Sequence, residues 1–362
     1  MKQTRRGRQN IALSFLTRLR PCVNAHFVSV FKTENISLDP LKKLNIGIVG
    51  FGHQARAQGL NLLDSGFKVS IGLREKSLSQ TQAKKDGFHV LTISELVQKF
   101  DLVMLLIPDE VQAQVYKEEI EPFLSSNKIL GFSHGFNLVF DKICLPKGVE
   151  YILVAPKATG IHVRRSYLKT KGVPLAVDWK SERSKDLTLA YARAIGGARS
   201  FIFKATLQEE VFSNLFSEQC ALPGGLTELL KKSYEVLREN GVSPVMAYFE
   251  CFYKLKVLVD LIDERGLEGF YRGISSTASF GALTSGPKII DENIKSKMKA
   301  VFEEIKSGVF SKKDRKTLED LLAQEKNHPL EKMFSEMRAL LSPGFSKSEN
   351  VFCETKKTFS DT

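Results

Sequence analysis

From Leu44 to Asp178 short apolar runs alternate with amphipathic stretches. The runs are LNIGIVG, KVSIGLR, DLVMLLIP, KILGFSHG, EYILVAPK and VPLAVD, each aliphatic or β-branched and closed by Gly, Pro or a polar residue. Strands buried on both faces read as such near-continuous runs, and their alternation with helical patterns predicts a parallel sheet covered on both sides, a doubly wound α/β domain of Rossmann type. After about Thr206 the strand pattern stops. Helical patterns follow at 208–222, 225–240, 244–264, 291–306 and 315–324, joined by Gly- and Ser-rich loops such as ISSTASFGALTSGPK at 274–288. An all-α second domain is predicted. The expected boundaries are a basic extension over 1–28, the α/β domain over 29–205, a helical domain over 206–341 and a polar, turn-rich, disordered tail over 342–362.

One helical stretch, MAYFECFYKLKVLVDLI at 246–262, reads as a buried helix, yet it carries Glu250 and Lys254 four residues apart on one face. No apolar run reaches the length that crosses a bilayer, because charges interrupt this one too; a soluble protein is expected. With 362 residues and 43% hydrophobic content, two cores can be filled. The formal charge of +12 is concentrated at one end, since the first 33 residues hold seven Lys and Arg and no acid. Without those seven, 46 basic residues face 41 acidic ones, a mild surplus that suits a phosphorylated small molecule and excludes a nucleic-acid footprint. Five scattered cysteines without CxxC spacing indicate neither a disulfide framework nor a zinc site and fit a reducing compartment. The Arg-rich, acid-free N-terminus has two readings, an organelle transit segment or a disordered basic tail on a cytoplasmic protein.

IGIVGFGHQARAQG follows a predicted strand and opens a predicted helix. Gly50 and Gly52 supply the tight turn and close backbone approach that a pyrophosphate needs, Ala55 takes the third small position, and the helix N-terminus meets the negative charge. His53 and Gln54 lie beside that group. The second strand ends in GLREKSLS instead of the carboxylate that an NAD site presents to the ribose hydroxyls. Arg74, Ser77 and Ser79, with Lys76 as help, can hold a 2′-phosphate through charge-assisted and hydroxyl hydrogen bonds, so NADPH is the expected cofactor.

GFGHQARAQGLNLLDSG, IPDEVQAQVYKEEIEP, SHGFN, VAPKATG, LFSEQCALPGGLTELLK, MAYFECFYKLK and ISSTASFG stand in an order and spacing that resembles the short-chain class of ketol-acid reductoisomerases, over roughly residues 29–341. The resemblance implies an NADPH- and magnesium-dependent enzyme of valine and isoleucine biosynthesis. It implies a knotted helical domain that forms a homodimer, and a reaction in which an acetohydroxy acid is isomerised by alkyl migration and the resulting 2-keto acid reduced. It further implies that Lys157 and Ser275 face the substrate, that His134 lies close to cofactor and reacting centre, and that Pro108 and Asp109 belong to the cofactor side. The position of His134 and Lys157 at predicted C-terminal strand ends agrees, since α/β sheets bind ligands there. His26, His89, His162 and His328 have no nameable partners and read as structural or surface residues.

The same resemblance implies two Mg²⁺ ions held by four carboxylates, two on each of two helices. Here Glu218 and Glu250 keep two of the positions, while Asn214 and Lys254 stand at the other two. Two carboxylates and one ammonium give a net −1 where the family brings −4. An amide oxygen is a weaker donor and a protonated lysine cannot ligate a metal. Two bound metals are therefore not expected. Apolar neighbours of Glu218 and Glu250 predict partial burial, and Lys254 is expected to pair with one of them in the former metal cavity or to meet an anionic substrate oxygen. Two function classes follow. One is an active reductase whose isomerisation is impaired, with the catalytic set His134, Lys157, Glu218, Glu250, Lys254 and Ser275. The other is a non-catalytic NADP-binding homologue that serves as a regulatory or structural partner.

Overall fold

The computed structural model describes residues 29–31, 35–313 and 318–341; the expectations for the basic extension and the C-terminal tail fall on residues outside these. All six apolar runs form strands of one nine-stranded sheet. β2 (Ile46–Val49) lies centrally, with β3 (Val69–Gly72) and β4 (His89–Leu91) on one side and β5 (Leu102–Leu105), β6 (Ile129–Phe132) and β7 (Glu150–Pro156) on the other, all parallel. This is the doubly wound order, with its crevice between β2 and β5 where the winding reverses. β2, β3, β5 and β6 are buried at every position, and separate apolar clusters cover the two faces of the sheet.

The sheet is mixed, not wholly parallel as expected. β8 (Leu175–Trp179) re-enters beside Pro156, pairs with β7 antiparallel, and is followed by β9 (Ile202–Lys204) and by β1 (Val30–Phe31), which is antiparallel to β9. The reversal arises because the connection after β7 carries helix Gly160–Leu168 against helix His53–Asp64 and then returns to the same end of the sheet. β1, β4 and β9 are two or three residues long, too short for a periodic signal.

In the helical half, Leu207–Phe216 runs through π-type turns at Ser217–Leu226 into Thr227–Glu239, although Pro223 and two glycines predicted a break. Widened turns accommodate the ring and missing N–H of a proline that a regular α-helix rejects. A second such bulge, Phe249–Tyr253, separates Pro244–Tyr248 from Leu255–Gly273. The expected loop at 274–288 is instead the helix Ser276–Ile289, whose first turn is capped by Ser275. Glu292–Lys306, Leu318–Asn327 and the unforeseen Pro329–Leu341 complete the chain.

The stretch 246–262 is not buried in the single chain. Ala247 and Tyr248 pack with Tyr234, Leu330 and Met337, but Met246, Tyr253, Val257, Leu258 and Val259 are exposed. Apolar residues of Ser276–Ile289, among them Phe280 and Leu283, are exposed as well. Among the described residues no element covers this face.

Candidate functional site

The strand ends at the crevice gather most of the residues singled out in the sequence. Gly50 leaves β2 with φ +100°, and a Cβ there would meet Ile107 Cγ2 at 2.6 Å and the Leu106 carbonyl oxygen at 2.7 Å. Only glycine makes this turn. Gly52 then caps helix His53–Asp64 with no side chain satisfying the first-turn N–H groups, and a Cβ at Gly52 would meet nothing within 4 Å. Free N–H groups and open space at a helix N-terminus suit a pyrophosphate.

This helix is locked to the opposite strand ends. Gln54 Nε2 donates to the Ala158 carbonyl at 2.9 Å, and Gln58 Nε2 donates to Ser133 Oγ at 2.8 Å. Gly160 approaches so closely that a Cβ would lie 2.2 Å from the His53 carbonyl oxygen. Ala55 is fully buried beneath the loop. Beyond β3, Arg74 is exposed and opens a turn in which its carbonyl accepts from Ser77 N at 3.0 Å; Ser77 Oγ accepts from Ser79 N. Pro108 caps the helix that begins at Asp109.

At the ends of β6 and β7 a second cluster forms around a residue absent from the sequence reading, Glu210. Its carboxylate is 2% exposed; Oε1 accepts from Lys157 Nζ at 2.7 Å and Oε2 bonds His134 Nδ1 at 3.0 Å. His134 Nε2 faces Asp109 Oδ2 at 3.9 Å. Helix Leu207–Phe216 aims Glu210 there because both ends of its first turn are fixed: Thr206 Oγ1 accepts from Glu209 N, and Asp178 Oδ2, at the end of β8, accepts from Leu207 N at 2.8 Å. The charges reinforce one another. Burial disfavours the imidazolium of His134, but the hydrogen bond and charge of Glu210, with Asp109 and Glu218 beyond it, raise its pKa above the ordinary imidazole range. Burial would raise the Glu210 carboxyl, yet His134 and Lys157 together hold it below the usual carboxylate range. A signal for Glu210 existed in the sequence: Glu210, Asn214 and Glu218 are spaced four apart and so share one helical face.

The positions that the resemblance assigned to metal are more open to solvent than this cluster. Glu218 and Glu250 are exposed in the single chain, contrary to the expected partial burial, because their apolar neighbours pack into two separate clusters, Leu215 and Phe216 in one and Phe249 and Phe252 in the other, and leave the carboxylates in solvent. Both bulges pack on helix Thr227–Glu239; the Ser217–Leu226 bulge also meets Leu207–Phe216 and Glu292–Lys306, and the Phe249–Tyr253 bulge meets Pro244–Tyr248 and Leu255–Gly273. Asn214 is half-buried. Lys254 Nζ lies 2.6 Å from Glu250 Oε2, so of the two expected partners it takes Glu250. Among the described residues no group of three or more His, Cys, Asp or Glu could hold a metal ion. The donor set does not fit two Mg²⁺ ions. Ser275 Oγ is engaged in its helix cap, accepting from Ala278 N at 3.2 Å. Two of the histidines without nameable partners do have them: His162 Nδ1 meets Thr159 Oγ1 at 2.9 Å and His328 Nε2 meets Glu235 at 3.1 Å.

A bare helix N-terminus at the crevice of a doubly wound sheet, with two proton-bearing groups gathered on a buried carboxylate at neighbouring strand ends, defines a dinucleotide-dependent oxidoreductase. Comparison with known proteins narrows the class. The family model described as "Acetohydroxy acid isomeroreductase, NADPH-binding domain" matches residues 40–200, and "Ketol-acid reductoisomerase, C-terminal domain" matches residues 207–342. The "Ketol-acid reductoisomerase (NADP(+))" of Pyrococcus abyssi is 44% identical over 316 residues, covering 84% of this chain and 95% of its own. The protein of the same name from Petrotoga mobilis is 45% identical over 324 residues, covering 87% and 98%. A solved NADH-preferring ketol-acid reductoisomerase from an uncultured archean superposes with a TM-score of 0.82 at 37% identity, covering 86% of this chain and 99% of that one. The chain belongs to the ketol-acid reductoisomerase family, and with it to the NADPH-dependent oxidoreductases. No helix among the described residues is long and apolar enough to cross a membrane.

Proposed function

We propose that this protein reduces a small 2-keto acid with NADPH in branched-chain amino acid biosynthesis, as the family resemblance implies, and that alkyl migration is its weak step. The observation that carries the reading is the Lys157–Glu210–His134 cluster, which puts two proton-bearing groups on one buried carboxylate at the crevice. NADPH supplies a hydride that passes to the ketone carbon, while a proton passes to the ketone oxygen, leaving NADP⁺ and an alcohol. Lys157 is the proton donor to that oxygen, acting as a general acid and meeting negative charge as it develops. Glu210 fixes the ammonium's position, and His134, hydrogen-bonded to its other oxygen, returns the proton to the network. Gly50, Gly52, His53, Gln54 and Ala55 form the pyrophosphate cradle, Arg74, Ser77 and Ser79 the 2′-phosphate contact, and Pro108 and Asp109 the wall beyond β5. Glu218, Glu250, Lys254 and Ser275 belong to the substrate side.

The exposed apolar face over Met246–Leu283 supports a homodimer formed through the helical domain of residues 206–341, the nucleotide-binding domain occupying 29–205. The acid-free first 28 residues support an organellar location, with a cytoplasmic protein bearing a basic tail as the other reading. A non-catalytic, NADP-binding regulatory partner is favoured by one observation, the closed Glu250–Lys254 pair. Steady-state assays separate the readings. Turnover of the already isomerised ketone with little turnover of the acetohydroxy acid is the expected result. Equal turnover of both overturns the weak-step claim, and no turnover of either with normal NADPH binding supports the non-catalytic partner.

A further inference from the structure

We infer that the helical half of this site takes no divalent metal, because a lysine ammonium on the same chain already pairs with one of its would-be ligands, so that ketone reduction here is independent of magnesium. The inference rests on the function proposed above and concerns the same site. In the chain, the Glu250 carboxylate already has a cation: Lys254, one turn along the same helix, lies 2.6 Å from Oε2. That cation travels with the protein and cannot be diluted away. Mg²⁺ requires a near-octahedral shell of hard oxygens, and an ammonium offers no lone pair to complete one. To bind there, the ion would have to displace a tethered positive charge and then remain within reach of its repulsion.

The other pair of positions offers no compensation. Asn214 contributes a neutral amide where an acid would be needed, which leaves Glu218 as its one charged donor. Among the described residues of the single chain no three acidic, His or Cys groups are gathered where an ion could sit. The strand-end cluster of Lys157, Glu210 and His134 draws on none of these positions for its hydrogen bonds. A proton can therefore reach a ketone oxygen without a Lewis acid, whereas nothing comparable assists migration of a carbon group between neighbouring atoms.

Calorimetric titration of MgCl₂ into the full chain saturated with NADPH tests this directly. No binding heat up to millimolar Mg²⁺ is expected, together with a ketone-reduction rate that EDTA changes by less than about twofold. A wild-type protein that binds Mg²⁺ with micromolar Kd, or that loses more than tenfold of its rate in EDTA and regains it with Mg²⁺, overturns the inference. The double variant Asn214→Asp, Lys254→Glu is expected to gain Mg²⁺ affinity on the order of 100-fold or more. If it binds NADPH normally, as read by nicotinamide fluorescence, and gains no metal, the two positions are not what excludes the ion and the inference fails. Absence of ketone turnover with absence of Mg²⁺ heat refutes the proposed function alone.

Discussion

The Lys157 ammonium and the Glu210 carboxylate meet at 2.7 Å at the end of β7, and the carboxylate is almost completely removed from solvent. A buried charge persists only when paired and hydrogen-bonded, and here the second oxygen is satisfied by His134. Each cation is thus held in place by one anion. Replacing Glu210 by Gln leaves two cations sharing a neutral amide, and the imidazolium loses its main support. Unfolding free energy should fall by roughly 3 kcal/mol, the scale for breaking a buried pair, and ketone reduction by about 100-fold or more. NMR titration should show the His134 pKa falling towards or below the ordinary value. A rate loss with an unmoved His134 would mean that the residue acts otherwise.

The same cluster sets a pH window for stability. The pKa of His134 is raised in the folded chain, so its contribution is complete below the ordinary imidazole pKa and disappears as pH rises through the raised value. For Glu210 the folded value is depressed; its contribution is complete above the ordinary carboxylate pKa and disappears as pH falls through the depressed value. Urea midpoints should accordingly be highest in mildly acidic solution, between the two ordinary values, and decline on both sides. The alkaline decline should be absent from a His134→Gln variant.

Legibility in the sequence followed the strength of local signals. β2, β5 and β6 were plain because strands buried on both faces are apolar throughout, while β4 and β9, with three residues each, carry no period. The nucleotide cradle could be read because Gly50 and Gly52 answer to backbone geometry that is itself local. The spacing of Glu210 with Asn214 and Glu218 puts it on their helical face and sets it apart from Glu209, but acids are common in a first helical turn, and only the tertiary approach of β6 and β7 makes Glu210 a buried hub. Ser276–Ile289 was hidden by its Gly and Ser content and by Pro287, whose helical cost is outweighed in a segment with an N-terminal cap and an apolar face.

Gly160 begins the helix that packs against His53–Asp64, and the space its Cβ would need is filled by the His53 carbonyl at 2.2 Å and Gln54 N at 2.7 Å. Backbone cannot move aside as a side chain can. Gly160→Ala should push the two helices apart and shift the pyrophosphate cradle. The expected cost is about 1–3 kcal/mol in stability, as for other overpacked interiors, together with at least tenfold weaker NADPH binding by fluorescence titration. Unchanged affinity would show that the cradle does not depend on this contact.

The uncovered apolar face makes a separate prediction about assembly. Val257 on Leu255–Gly273 and Leu283 on Ser276–Ile289 are both exposed in one chain. If a second copy covers them, Val257→Glu with Leu283→Glu buries two unpaired charges in the interface and should yield monomers by light scattering. Under this reading NADPH binding survives, because the cradle is built wholly from the first half. Persistence of the dimer would place the contact elsewhere.

The Lys254–Glu250 pair should matter little to the stability of the fold. Both side chains are well exposed, 62% and 45%, and pairs spaced four apart on a helix stabilise by roughly 0.3–0.5 kcal/mol. Lys254→Ala should therefore move the thermal midpoint by a degree or two at most, and less in high salt. Its chemical effect should be larger. Removing the ammonium frees Glu250 and takes away the positive charge beside it, so an anionic substrate should bind more weakly, raising KM while NADPH affinity holds. A variant with unchanged KM and unchanged stability would leave Lys254 as an ordinary surface residue.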